Sequence, residues 1–352
     1  MRAESVSADQ PLEIACDESG SEGEKLIGGN TDVFTHAGVR LDIESAADCI
    51  QEIRNIAPSP ALEYKANLLL REKNRPALVW LLGPSGPIRG NAHVHLTDKT
   101  FLVVGKLAGL LAEETAQAPD ADRPRDPRTG ALAVTLYREG RRTFGRERWE
   151  AFLESFNDLM RAGNGRGAGT SPDTFFGMVD VLRRAGAGSE AGEIMESLWR
   201  ARPRVDSFLA RLLDDPQVFP ALDPLIPAIV RAVDHWGEGI RPVSIVHDRQ
   251  TILTEERVAR LREMFGEPRP GAPPCSPRGR LAGLRFVAAR SDARVQVADL
   301  LAGTARKIAS DELNGRGDAE LTALLRPYVD PFSIWGDDRS RSLLEAGSGT
   351  RV

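Results

Sequence analysis

The sequence predicts an α/β fold interrupted by a large all-helical insertion. Apolar runs of strand length alternate with amphipathic helical stripes near both ends of the chain, and the middle third carries helical stripes without strand patterning. The 352-residue length suits one large or two ordinary domains. Residues 1–10 read as a disordered tail, 11–112 as the first half of the core and 113–237 as the helical insertion. Residues 238–335 read as the second half and 336–352 as a polar tail.

Leu12–Cys16 is a buried strand by its unbroken apolarity, stopped by Asp17 and Glu18 and turned by Ser19 and Gly20. Glu18–Asp32 is a polar, Gly-rich loop able to pass close to a ligand. Val33, Thr35, Ala37, Val39 and Leu41 alternate with Phe34, His36, Gly38 and Arg40, the pattern of a second strand paired with the first. Asp42 can cap a helix with Ile43, Ala47, Ile50 and Ile53 on one face, ended by Pro58 and Pro60. A short helix over Ala61–Arg71 and a strand over Ala77–Leu82 follow. Beyond the turn Gly83–Gly90, Asn91–Leu96 holds His93 and His95, and Lys99 opens a helix reaching about Glu114.

Thr115–Gly130 is rich in Pro, Asp, Arg and Ala, a linker composition. Trp149, Phe152, Phe156, Leu159 and Met160 then share one helix face, with similar stripes in Phe175–Leu182, Ile194–Trp199, Phe208–Leu213 and Leu222–Trp236. Strand character returns at Val243–Val246, closed by His247, Asp248, Arg249 and Gln250. Thr254 caps a helix over Glu255–Phe265, with Gly266 past its end. A Pro/Gly/Arg loop over 267–280, a last strand over Leu284–Ala288 and a helix opening at Val295 and reaching about Glu312 complete the chain.

The composition is that of a globular protein, 41% hydrophobic and 28% charged. The 46 Lys and Arg against 51 Asp and Glu give a net charge of −5, so any polyanion site must be local. Local candidates are the arginine-rich stretches 121–150 and 267–294 and the cluster Arg200, Arg202 and Arg204. Cys16, Cys49 and Cys275 form no C-x-x-C pair and suit reduced thiols in a cytoplasm. No apolar run approaches the length of a membrane span, and the expected location is cytoplasmic.

Acids recur where apolar sequence leads up to them. Asp17 and Asp248 close apolar strands, and Asp299 lies inside an apolar helix. Gln296, Asp299 and Gly303 share one face of that helix, while Ala298, Leu301 and Ala302 take the opposite side toward the core. Gly303 either leaves room beside Asp299 or permits tight helix packing. Two acids after a strand can simply begin a solvated loop. Gathered and buried, however, carboxylates are costly and raise one another's pKa unless a cation neutralises them. Oxygen ligands without cysteine point to Mg²⁺ or Mn²⁺. Two such ions about 4 Å apart can activate water and stabilise the leaving oxygen in phosphodiester cleavage.

The segments ACDESG (15–20), EYKANLLL (63–70), SIVHDRQ (244–250) and VQVADLLAG (295–303) resemble the bacterial domain of unknown function 3800. The resemblance covers roughly residues 11–112 and 238–335 and leaves the middle third outside. It implies an RNase H-like mixed sheet flanked by helices, with clustered acids for metal-dependent cleavage of nucleic acid. Position by position it implies Asp17, Glu63, Asp248 and Asp299 as catalytic residues and metal ligands. Around them, Glu18 points to the opposite sheet face from Asp17, Gln296 can orient a neighbour, and His247 can shuttle a proton or bind metal. Lys99 can meet a phosphate.

The expected function is therefore a Mg²⁺- or Mn²⁺-dependent phosphodiesterase, a nuclease acting on RNA or DNA. One alternative is a non-catalytic binding or effector module that recruits a protein partner through the helical insertion. Another is a zinc hydrolase built on His93 and His95, whose H-x-H spacing puts both rings on one strand face.

Overall fold

A computed structural model of the chain describes residues 10–112, 127–162, 170–203, 205, 207, 219–238, 241–250, 252–265 and 280–345. The expected tail over 1–9, most of the linker over 115–130, the Phe208–Leu213 stripe, Gly266, most of the 267–280 loop, Arg204 and Cys275 lie outside the described residues.

The centre is a five-stranded mixed sheet in the order β3-β2-β1-β4-β5. β1 (Leu12–Ser19) pairs antiparallel with β2 (Val33–Val39), which pairs antiparallel with β3 (Ala92–Asp98). On its other side β1 runs parallel to β4 (Pro242–Asp248), and β4 parallel to β5 (Arg280–Val287). β1 and β4 therefore end at the same edge, bringing Asp17 and Asp248 from opposite ends of the sequence to one border of the sheet. The α/β class and the mixed sheet agree with the sequence reading.

Both faces are covered. One packs α1 (Ile43–Ile56) and the long α11 (Ala293–Leu313) over Ala15, Val33, Ala37, Val94 and Val246. The other packs α9 (Leu225–Gly237) over Ile14, Cys16, Phe34, Val243 and Ile245. Every residue of β2 is buried, so its alternation separates two covered faces rather than a core face from a wet one. α9 falls in the stretch read as insertion, yet it serves as a layer of the sheet. Conversely α4 (Lys99–Ala112), from the first half, joins α5 (Pro127–Phe144), α6 (Arg146–Ala162), α7 (Pro172–Ala185) and α8 (Glu190–Arg200) around Phe152, Phe156, Phe175 and Phe176. These five helices share a hydrophobic core of their own.

Three local readings are corrected. The apolar run Ala77–Leu82 is not a strand but most of α3 (Arg75–Leu82): Pro76 sits at the start, where its missing N–H costs nothing, and the run contains only one β-branched residue. The helix expected over Ala61–Arg71 shrinks to α2 (Ala66–Leu69), because Tyr64 is buried with its hydroxyl donating to the Ala57 carbonyl at 2.9 Å and holds residues 61–65 outside any helix. The C-terminal polar stretch carries α13 (Asp338–Leu344), capped by Asp337 and anchored by buried Leu344; α12 (Ala319–Leu325) and α10 (Glu255–Met264) are two further helices.

α11 lies close against α2. A Cβ on Gly303 would stand 2.5 Å from the Ala66 Cβ, so this glycine serves helix packing and its space is already filled. The Thr35 hydroxyl donates to the Ala302 carbonyl at 2.7 Å and pins the same turn to the sheet. Gly303→Ala is expected to destabilise by about 1–3 kcal/mol through overpacking. Gly105→Ala, in the interior of α4 with open space around the new Cβ, is expected to stabilise by about 0.5–1 kcal/mol. Urea midpoints of the two variants check the pair; a Gly303→Ala midpoint at or above wild type would contradict the close crossing.

Candidate metal centre

The ACDESG segment reads residue by residue along the end of β1. Cys16 packs under α9, and Asp17 turns to the α11 face, where it is 5% exposed. Glu18 returns to the α9 face, as its register opposite His36 shows. The Ser19 hydroxyl accepts from Arg306 Nε at 2.9 Å. Gly20 adopts φ +83°, and a Cβ there would collide with the Val33 carbonyl, so the turn into the following loop requires glycine.

Asp17 Oδ1 accepts the Glu18 backbone N–H at 2.8 Å. Burial, together with the charges of Glu18, Asp299 and Asp248, pushes the Asp17 carboxyl up to about 9. Burial likewise lifts Glu18 to about 7, against a 2.5 Å hydrogen bond that Gln250 Nε2 donates to its Oε1. His247 ends the buried part of β4 with no exposure; its ring Nδ1 lies 3.0 Å from the Asp248 carbonyl oxygen. A carbonyl only accepts, so Nδ1 carries the proton and Nε2 presents a lone pair. Burial holds this imidazole down to about 4, hence neutral. Its Nε2 lies 3.8 Å from Glu18 Oε2, and neither buried atom has a hydrogen-bond partner. One ligand atom each from Asp17, Glu18 and His247 fall within 4.8 Å of one another.

Of the four residues expected as ligands, Asp17 lies in this group, and Asp248 and Asp299 add their charge to it. Asp248 Oδ1 accepts the Ala289 N–H at 3.0 Å. Asp299 Oδ2 accepts from Lys65 Nζ at 2.7 Å, and the same ammonium lies 2.7 Å from Glu63 Oε1. Burial raises the Asp299 carboxyl, with Lys65 opposing. Glu63 therefore stands beside Asp299 through Lys65. Glu18 and His247, read from sequence as surrounding residues, contribute atoms to the closest grouping. Lys65 was missed, although the EYKA segment contains it.

The remaining expectations separate clearly. Gln296 is half-buried on the face of α11 that looks toward residues 65–66. Lys99 is not a surface cation: it is 1% exposed and donates to the Thr31 hydroxyl at 2.6 Å. His93 and His95 face buried Asp330 at 3.7 and 3.0 Å, which also accepts from Arg231 Nε at 3.1 Å. A guanidinium already occupies that carboxylate, and among the described residues the only grouping with metal-ligand spacing is Asp17, Glu18 and His247. Several arginines considered for phosphate are engaged within the fold. Arg294 holds Asp292 and Glu13, Arg200 holds Glu196, and Arg142 holds Glu139.

The histidines gather on the sheet face that α9 covers. His36 stacks on His247 at 5.3 Å between ring centroids and pairs across the strands with His95, while His93 stacks on His235 at 3.9 Å. All five histidines of the chain thus lie along the α9 side of the sheet, from its acid border to His235. No helix among the described residues is long and apolar enough to cross a membrane.

Compared with family models, with curated proteins and with solved structures, the chain matches none.

Proposed function

We propose that the chain is a metal-dependent phosphodiesterase, a nuclease acting on RNA or DNA, on an RNase H-like fold related to the bacterial domain of unknown function 3800. The observation that carries the reading is the buried carboxyl cluster: Asp17 at the end of β1 is lifted to about 9 by burial and by Glu18, Asp299 and Asp248. A cluster so costly to ionise is maintained for a cation or a proton, and perturbed groups of this kind gather at functional sites. The residues fit a divalent cation, because Glu18 Oε2 and His247 Nε2 are buried without partners and face each other. A mixed sheet with acids on the aligned ends of β1 and β4 supports the RNase H-like part.

When bound, a divalent ion supplies a lowered-pKa water and stabilises charge on the leaving oxygen. The chain's own groups do the rest. Asp17, Glu18 and His247 would offer ligand atoms to the ion and Asp248 and Asp299 would add charge beside them, while Gln250 and the Ala289 N–H orient Glu18 and Asp248 and the buried side chains of α11 and α9 keep bulk water off the sheet border. Lys65, half-exposed on its loop, is placed to exchange Asp299 for a substrate phosphate.

The test is purified protein against labelled RNA and DNA panels with Mg²⁺, Mn²⁺ or chelator. Metal-dependent cutting abolished by Asp17→Asn is the expected result; no cleavage with any metal removes the nuclease reading. The second reading, a non-catalytic effector module with the helical insertion as partner surface, is favoured by one observation. The Lys65 ammonium already neutralises Asp299 and Glu63. That reading gains if the melting temperature is the same in chelator and in millimolar metal.

A further inference from the structure

We propose that Asp17, Glu18 and His247 form a mixed nitrogen–oxygen site that takes a divalent transition ion, Mn²⁺, Co²⁺ or Zn²⁺, in preference to Mg²⁺. The proposal deepens the metal-dependent reading by naming the ion, and it stands on binding rather than on cleavage. Three features build the site. The His247 Nδ1 hydrogen bond to the Asp248 carbonyl fixes the tautomer, so the lone pair on Nε2 is committed toward Glu18. Glu18 Oε1 is held by Gln250, which leaves Oε2 as the free oxygen of that carboxylate. The separation of 3.8 Å between Nε2 and Oε2 suits a shared ion, since two bonds of about 2.1 Å span up to about 4.2 Å.

Ligand chemistry then selects the metal. Mg²⁺ is a hard ion that keeps water and carboxylate oxygens, whereas imidazole nitrogen suits the later first-row ions. An all-carboxylate centre at Asp17, Asp248 and Asp299 would show a weaker preference, and one that does not depend on His247. The nitrogen lies on the opposite face of the sheet from Asp299: His247 is paired with Cys16 on the α9 side, and its ring stacks on His36. Glu18 reaches it for the same reason that it points away from Asp17's face. At the strand end one ligand atom from each of Asp17, Glu18 and His247 nonetheless lie within 4.8 Å of one another. His247 and Glu18 are the site's distinguishing ligands, and Asp17 is the residue common to it and to the acid cluster.

The experiment titrates the full chain with Mn²⁺, Co²⁺ and Mg²⁺ by calorimetry, with the visible absorption of bound Co²⁺ as a second readout. Wild type is expected to bind Co²⁺ and Mn²⁺ at least about ten-fold more tightly than Mg²⁺. His247→Gln is expected to weaken Co²⁺ by about 10–100-fold and to remove most of that preference. Glu18→Gln, which keeps an oxygen for Gln250, should weaken Co²⁺ similarly and carries the test if His247→Gln fails to fold by its melt in chelator. Equal affinities for Mg²⁺ and Mn²⁺ in wild type, or Co²⁺ binding indifferent to both variants, would overturn the proposal. Failures of the two readings are distinguishable. His247-dependent Co²⁺ binding without cleavage of any nucleic acid keeps this site and removes the nuclease. Mg²⁺-supported cleavage together with Co²⁺ binding that His247→Gln and Glu18→Gln leave unchanged keeps the nuclease and removes the transition-ion site.

Discussion

Asp17→Asn is expected to make the protein more stable in chelator, by about 2 kcal/mol at pH 8, while lowering metal-dependent cleavage about 10³-fold. Asparagine keeps the shape of the side chain and still offers an oxygen to the Glu18 N–H that Asp17 binds at 2.8 Å. It removes a carboxyl that burial and the charges of Glu18, Asp299 and Asp248 lift to about 9. The full shift is worth about 1.4 kcal/mol per pKa unit, a ceiling above 5 kcal/mol. Relief at Asp17 lets Glu18 and Asp299 ionise in its place, and an effective dielectric near 20 shrinks each repulsion, which brings the gain to about 2 kcal/mol. With metal at about 100 times its dissociation constant the order reverses, because wild type then gains about 2.7 kcal/mol that the variant lacks. A 10³-fold loss of cleavage corresponds to about 4 kcal/mol of barrier, the scale of a lost metal function.

The pH dependence of that gain has a definite sign. The folded pKa of Asp17 lies above its unfolded value of 3.8, so folded wild type binds a proton that the unfolded chain releases. Its penalty is absent below 3.8, grows as pH rises and is complete above about 9. The stability difference between variant and wild type in chelator should therefore vanish near pH 4 and widen toward pH 9. Urea titrations across that range decide it. A variant destabilised equally at every pH, with or without metal, would remove Asp17 from the centre.

Much of this could be read in the sequence because the relevant signals are local. The apolar run ending in Asp17 makes β1, the alternation through Val39 makes β2, and the Asp42 cap starts α1 with its side chain accepting from the Ser45 N–H. Asp17, Asp248 and Asp299 stood out as acids closing or interrupting apolar segments, and their mutual charge is felt at Asp17. What escaped depends on partners distant in sequence. Period-2 alternation in β2 cannot say that α9, nearly two hundred residues later, covers the second face; His36 is fully buried for that reason. Nor can six apolar residues at Ala77–Leu82 choose between helix and strand without knowing that no sheet edge awaits them. Lys65 was invisible as a counter-ion because its meaning comes from Asp299, brought beside it when α2 packs on Gly303. Glu18 points away from Asp17's face, as the alternation implies, and that direction is what carries it to His247, a partner more than two hundred residues away.

Asp330→Asn is expected to cost about 3 kcal/mol. Asp330 is 1% exposed, and its carboxylate gathers His95 Nδ1 at 3.0 Å, Arg231 Nε at 3.1 Å and the Phe332 N–H at 3.0 Å. Burial alone would raise this carboxyl, but His93 and His95 outweigh it and hold the group well below the usual carboxylate range. An amide in its place leaves the Arg231 guanidinium short of its counter-charge and turns an N–H₂ toward a ring N–H. Breaking a buried pair from one side costs about 3–5 kcal/mol; the partial exposure of Arg231 argues for the lower end. Because the folded pKa is depressed below 3.8, the contribution is fully present above that pH and lost as pH falls through the folded value. The penalty should therefore be constant from pH 9 to 5, unlike the pH-graded gain at Asp17. Asp338→Asn is the control: its pair with Arg138 is more than half exposed on both sides, so the change should stay below about 0.5 kcal/mol. Comparable urea midpoints for the two variants would show that Asp330 does not anchor the histidine face.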